Sequence, residues 1–384
     1  MILSSVRLGL LIGRTVPQPA PRLLMNALES VQVNNNSDFN QGFTLVFRAE
    51  RELAASTEYA LLNGPLLKPG SRVIITVSFN ATPRVLVDGV ITQHQLVPSG
   101  GKAGTSLTVT GEDLSVLMDM DQVSMLYPPL PHEAIVLMIL LKYASLGVMP
   151  IIIPCPTSWT TNLLDQMPQQ RATDLAYLRE LAGKHGYTFG IRPGPAPLSS
   201  FAYWGPPDIL SQISKICPPQ KPLTVDMGPA SNVQSINFTY KALAPERVHG
   251  WVADADLLLP VPVMTLLSTR IPPLASQPPL VANPSFVRKT LLGYDGHQVI
   301  EAFAEAQSQT NQSSDQVVTA NGTLDTLRYG GLLNAPGYVG LRGAGYSYDG
   351  YYYIKSVNHT INRKEYKQTF NLSREGTGSL AQRV

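Results

Sequence analysis

The sequence predicts a mainly β protein with an α+β insertion, built on two copies of one small β-barrel unit. Three observations carry this expectation. The first is the end of the chain. It reads Leu332-Leu333-Asn334-Ala335-Pro336-Gly337, a strand from Tyr338 to Leu341, Asp349-Gly350, a long run from Tyr351 to Ile361, and a closing run from Tyr366 to Arg374. Asp-Gly between strand-like runs is a strong hairpin signal, because both residues tolerate the positive φ of primed turns. In the closing run Tyr366, Phe370 and Leu372 share one face, and Lys367, Thr369, Asn371 and Ser373 the other. That alternation belongs to a half-buried antiparallel strand.

The second observation is that the same grammar occurs about 260 residues earlier. Leu66-Leu67-Lys68-Pro69-Gly70 precedes a strand from Arg72 to Phe79. Then come Val85-Leu86-Val87-Asp88-Gly89, Val90 to Leu96, a Ser99-Gly100-Gly101-Lys102 turn, and Leu107 to Gly111. A repeat at this spacing implies two copies of one β unit with other material between them. The third observation is a change of period after Gly111, from alternation to helix-like spacing.

Taken in order, Val6–Ile12 and Arg22–Val33 are apolar segments, and Phe43–Ala49 alternates with Phe43, Leu45 and Phe47 on one face. A short helix is expected from Arg51 to Leu62. Asp113–Met120 reads as another. His132–Leu146 reads as a helix stopped by Gly147, and Pro150–Pro156 as an Ile-rich strand. Thr173–His185 is the clearest helix, with Thr173 as N-cap, Asp174 in the first turn, and a stripe of Leu175, Leu178, Leu181 and Ala182. Tyr187–Ile191 and Phe201–Trp204 form a hairpin. Val233–Tyr240 alternates again. Leu257–Pro284 is Pro-rich and reads as an irregular loop. His297–Gln309 is a polar, Ala-rich helix, and Gln316–Ala320 leads as a strand into the closing pattern. The expected division is 1–111, first barrel; 112–222, α+β middle; 223–256 with 316–376, a split second barrel; 257–315, loop and helix insertion; and 377–384, a tail.

Charged residues make up only 15% of the chain, against roughly 25% in a typical soluble domain. The deficit is filled by Gly, Pro, Ser, Thr, Asn and Gln, which suits a chain held inside an assembly. A net charge of +2 gives no bulk attraction to nucleic acid or anionic membranes. The most apolar run, Ala134–Ile153, is broken by Lys142 and Pro150, short of the ~20 residues a membrane span needs. No secretory signal is read at Met1–Arg14.

Motifs for chemistry are scarce. Cys155 and Cys217 have neither disulfide-framework nor metal-site spacing. The six histidines, His94, His132, His185, His249, His297 and His359, are scattered. His132-Glu133 could be an acid/base pair, but reads better as the solvated first turn of a helix. Asp254 with Asp256, and Asp119 with Asp121, lack a third ligand. Tyr346, Tyr348, Tyr351, Tyr352 and Tyr353 cluster beside Asp349-Gly350. Such rings can stack on sugars or bases, and more commonly pack across a sheet or against a partner. No catalytic, metal or cofactor residue is assigned. Tyr348, Tyr351 and Tyr353 are the candidate subunit or partner contacts.

Four segments, in this order, carry a family resemblance. They are Leu66–Gly70 with Val85–Thr110 and Glu112-Asp113-Leu114; Thr173-Asp174-Leu175 to Gly186-Tyr187-Thr188-Phe189; Leu332–Gly337; and Asp349–Ile354 through Asn358-His359 to Phe370, Leu372 and Arg374. The arrangement resembles the baseplate hub proteins of contractile phage tails and related injection systems, which include the late-control protein D group and the hub half of the VgrG proteins. The resemblance implies two tail-tube-like β-barrels per subunit and a homotrimer whose six barrels match a six-fold inner tube to a three-fold spike. It implies no bond-making chemistry and no cofactor. The implied partners are further copies of the chain, the inner tail tube protein, a spike protein and other baseplate proteins. The implied place is a virion tail baseplate or injection particle, assembled in the bacterial cytoplasm. Unlike fused hub–spike members, the chain has only ten residues after Arg374, so the spike is expected to be separate. The Leu257–Pro284 segment is longer than the family leads one to expect. Two alternatives remain: a tail-associated carbohydrate- or receptor-binding protein using the tyrosines, and a peptidoglycan hydrolase.

Overall fold

The computed structural model describes residues 2–3, 6–39, 41–49, 59–79, 82–98, 104–155, 167–207, 220–253, 259–292 and 299–380. The Ser99–Lys102 turn, Asp254, Asp256, Cys217, His297 and residues 381–384 lie outside the described residues. So does the expected Arg51–Leu62 helix, except for its end, where one helical turn covers Ala60–Asn63.

The chain is mainly β. The first β unit comprises β1 (Val6–Gly13), β2 (Leu28–Asn36), β3 (Gly42–Ala49), β4 (Arg72–Phe79), β5 (Thr82–Val97) and β6 (Thr105–Asp113). Their spatial order is β1-β4-β5-β6-β3-β2, all antiparallel. Phe43, Leu45 and Phe47 point into one core with Val73, Ile75 and Val109, as the alternation requires. Arg22–Val33 is not one strand. Pro21 opens a short helix, Arg22–Ala27, and the chain turns extended at Leu28, which is fully buried.

Asp88-Gly89 makes no turn, contrary to the hairpin expectation. It lies inside β5, an unbroken strand. Both Asp88 oxygens are held at 2.7 Å by Arg72 across the ladder. Gly89 is needed for close approach, since a Cβ there would sit 2.1 Å from the Glu112 carbonyl oxygen. The chain instead reverses between Phe79 and Thr82, which face each other.

The middle unit follows a 3-10 turn at Leu114–Met118, capped by Asp113. It contains α1 (His132–Leu141), β7 (Val148–Ile152), α2 (Asp174–Lys184), β8 (Thr188–Pro193) and β9 (Ser200–Gly205). The first helix stops five residues before the expected Leu146, then turns as 3-10 into Gly147 at φ +80°. Thr173 caps α2 as expected, its Oγ1 accepting from the Ala176 N–H at 3.2 Å. Ile135, Ile139, Leu178, Leu181 and Trp204 form a separate core.

After β10 (Val233–Tyr240) comes a small α/β insertion. It contains β11 (Glu246–Ala253), β12 (Pro260–Met264), β13 (Arg288–Leu291) and α3 (Val299–Ser314). β11 pairs with β12 and β13 rather than with the large sheet. The Pro-rich stretch is therefore not simply loop. Pro260 and Pro262 are tolerated because β12 pairs on one side only, where missing N–H groups cost no ladder bond. Ala302 and Ala306 of α3 pack on Val248, Val252 and Val263.

The second β unit is completed by β14 (Val318–Asp325), β15 (Tyr338–Arg342), β16 (Gly350–Asn362) and β17 (Tyr366–Arg374). Its order is β15-β16-β17-β14-β10. That is the order β4-β5-β6-β3-β2 of the first unit. Asp349-Gly350 is not a two-residue turn. The reversal runs over residues 343–349, with Gly343 and Gly345 at positive φ and the Asp349 carboxylate accepting from the Ala344 N–H at 2.8 Å. Gly350 begins β16.

The two units are hydrogen-bonded to each other. β2 lies antiparallel to β16, with Ser356 opposite Asn36 through to Asn362 opposite Ser30. The pairings form one open path, and no ring of strands closes among the described residues. No helix among them is long and apolar enough to cross a membrane.

Candidate assembly interface

The tyrosine-rich start of β16 does not present one aromatic patch. Alternation puts Tyr351 and Tyr353 on one face and Tyr352 on the other. Tyr351 is exposed. Tyr352 is fully buried, its ring under the Arg374 guanidinium at 4.6 Å. Tyr348 is half-buried against Phe238 of β10, ring centroids 4.9 Å apart. Tyr353 packs edge-on against Tyr338 at 5.7 Å, and burial raises its phenol pKa. Exposed Tyr346 stands apart in the loop.

Tyr353 lines a polar cavity of about 620 Å³ where the middle unit, the insertion and the second β unit meet. His185, Tyr187, Arg270, Asn311 and Lys355 also line it. Arg270 is paired with Asp315 at 2.8 Å.

The three units are held together by buried polar contacts that sequence reasoning missed. Arg192 of β8 donates from its two terminal nitrogens to the carbonyls of Ala335 and Asn36. It thereby touches the second β unit and the end of the first at once. Its guanidinium lies 4.8 Å from the Phe39 ring centroid. Ser200 of β9 donates to Asp88 at 3.3 Å, tying the middle unit to the Arg72–Asp88 pair. These residues are far apart in sequence and follow no motif. The only signal was an arginine inside an otherwise apolar strand.

The scattered candidates for chemistry fall partly together. His132 Nδ1 lies 2.7 Å from His185 Nε2, and Cys155 Sγ lies 3.4 Å from His185 Nδ1. Glu133 accepts from the Cys155 N–H at 2.8 Å. Burial, then the neighbouring His185, lowers the His132 pKa to about 4. This chain of groups links the two helices of the middle unit. Asp119 accepts from the Thr173 hydroxyl at 2.6 Å. No group of three or more His, Cys, Asp or Glu side chains among the described residues could hold a metal ion.

In sequence, no protein-family model and no curated protein matches the chain. Its fold, however, is that of known tail proteins. The tail protein from Neisseria meningitidis MC58 aligns over 96% of this chain and 97% of its own, at a TM-score of 0.62 and 12% identity. The 43 kDa tail protein of prophage MuSo2 from Shewanella oneidensis aligns over 97% and 99%, at 0.62 and 13%. A chain of the Francisella PdpA–VgrG complex aligns over all of this chain and 60% of its own, at 0.56 and 11%. At such identities the likeness is one of fold.

Proposed function

We propose that the chain is the structural baseplate hub of a contractile tail, acting as a homotrimer that joins a six-fold inner tube to a three-fold spike. The duplicated strand order carries this reading. Two equivalent β units per chain let three copies present six tube-type units. End-to-end fold likeness to phage tail proteins, and to a chain of a VgrG-containing complex, supports a structural role in a tail. On this reading each β unit is a tail-tube-like barrel element, completed by its neighbours in the ring. The partners are the inner tail tube protein, the spike and other baseplate proteins. Tyr351, exposed on β16, is proposed as a contact to one of them. Tyr348, packed on Phe238, and Tyr353, packed on Tyr338, are already partly engaged within the chain. The role needs no cofactor and no bond-making step. The tyrosines are not gathered into a stacking platform, so nothing favours the glycan-binding alternative.

Light scattering on the purified chain tests the reading, with a trimer expected. Negative-stain images of the chain mixed with tube and spike proteins should place it between them. A chain that stays monomeric and binds neither would sink the proposal.

A further inference from the structure

The two β units agree in the places of two bulges. In each, the long middle strand bulges against the next one: between Ile91 and Gln93 in β5, and between Ile354 and Ser356 in β16. In each, the last strand bulges too: between Leu28 and Ser30 in β2, and between Val233 and Ser235 in β10. Bulges fix register, so the units can be superposed on them. β5 then matches β16, with Gln93 at Ser356, Gln95 at Asn358 and Leu96 at His359. β2 matches β10, with Val33 at Phe238 and Asn34 at Thr239.

This equivalence leaves one joint made and one unmade. Within the chain, β2 of the first unit lies along the second half of β16. The matching edge of β5, Thr92–Val97, is paired among the described residues only with β6, on its other side. The matching strand, β10, is paired among the described residues only with β14. Among those residues both are open edges of the large sheet.

Neither edge is protected. Proteins blunt free edges with proline or charge. In this chain the edge strand β12 carries Pro260 and Pro262, and β13 carries Arg288 and Lys289. β10 (VQSINFTY) and Thr92–Val97 (TQHQLV) have no proline, Lys, Arg, Asp or Glu. Leu96 and Phe238 are only half-buried, whereas their counterparts His359 and Val33 are 0% exposed across the made joint.

We propose that β10 of one copy pairs antiparallel with Thr92–Val97 of a neighbouring copy, repeating between chains the joint that β2 and β16 make within one. The internal register sets Gln95 opposite Thr239, Leu96 opposite Phe238 and His94 opposite Tyr240. The contact is head-to-tail, so it is satisfied everywhere only in a closed ring. That the ring has three members rests on the hub reading. The joint itself rests on the duplication.

Disulfide trapping in the full chain tests it. Opposed residues on paired strands lie within disulfide reach. Gln95→Cys with Thr239→Cys should give covalent dimers and trimers on a non-reducing gel after mild oxidation. The adjacent pair, His94→Cys with Tyr240→Cys, covers the alternate hydrogen-bonding class. Gln95→Cys with Ser235→Cys, out of register by four residues, should cross-link less than about one-tenth as well, since each residue adds about 3.3 Å. The unsubstituted chain, with its own Cys155 and Cys217, is the blank. All new positions are exposed, so folding is not at issue. A trimer by light scattering without in-register cross-links overturns the joint and leaves the hub reading standing. Cross-linked dimers that never close into a covalent trimer support the joint and break the three-fold ring. Equal trapping by the out-of-register pair overturns the joint.

Discussion

In the first β unit the middle strand carries a buried ion pair and a bare edge. In the second, the matching strand carries a buried histidine and a covered edge. The bulges set Asp88-Gly89-Val90 against Tyr351-Tyr352-Tyr353. One unit thus ties this part of the sheet with Arg72–Asp88, and the other with the Tyr338–Tyr353 ring pair and Arg374 over Tyr352. The same backbone plan is therefore stabilised by charge in one copy and by aromatic packing in the other. Duplication preserved strand order and bulges, and left side-chain chemistry free to diverge.

This contrast can be broken in a definite order. The largest expected effect is Arg72→Ala, which strands the Asp88 carboxylate where it is 3% exposed. Loss of one partner of a buried pair costs about 3–5 kcal/mol. The double change Arg72→Met with Asp88→Leu should recover most of it, as measured by urea unfolding. Failure of the double change to recover would mean that the pair fixes register and does more than satisfy its own charge.

Acid should separate the units next. His359 is fully buried, its Nδ1 2.9 Å from the Tyr366 hydroxyl, and burial lowers its pKa to about 3. The charged ring is disfavoured in the folded chain. Its contribution to stability is therefore complete above about pH 6.5, the unfolded value, and is lost as pH falls from there towards 3. The first unit has Leu96 at this place. Hydrogen exchange at pH 4.5 should open β16 and β17 before β4 and β5, and His359→Gln should remove the difference. If β4 and β5 open first in the unsubstituted chain, His359 does not set the acid response.

Gly89→Ala comes third. The new methyl would press on the Glu112 carbonyl, so the backbone must shift, at about 1–3 kcal/mol. The second unit already accepts Tyr352 at the matching place, and Tyr352→Phe should change thermal stability less. The smallest effect is Asp325→Ala. It removes the cap on the Leu327 N–H at 2.8 Å, worth about 1 kcal/mol. The loss should appear in exchange at Thr326–Tyr329 and leave β4 and β5 of the first unit unchanged.

Strand positions were largely legible, because alternation in Phe43–Ala49 and Tyr366–Arg374 reports burial directly, whereas the order of the strands in the sheet was not. The repeat was legible too, but two residues out of register. Asp-Gly was matched to Asp-Gly, whereas Asp88-Gly89 is held in mid-strand by Arg72 and the Glu112 backbone. Pairing partners distant in sequence decide such cases, and local propensity carries no trace of them. The β12 strand was hidden for a related reason, since proline argues against a strand except at an edge, and edges are a tertiary fact. The candidate contact residues were the least legible. Tyr348, Tyr351 and Tyr353 were found as a composition cluster, yet alternation and the loop send the rings to different surroundings. Arg192 was missed because its partners are main-chain carbonyls, which any residue can offer.

Arg192 has a mechanical meaning. It grips the main chain of both β units from a third element, next to the seven-residue β2–β16 ladder. A torque on one unit must stretch hydrogen bonds to backbone in two directions before any side chain can slide. Relative rotation is resisted by bonds loaded in tension as well as by the packing of Ile361 and Tyr366 in the first unit's core. The corner between the units is stiff, and an applied force would pass through it with little lost to bending.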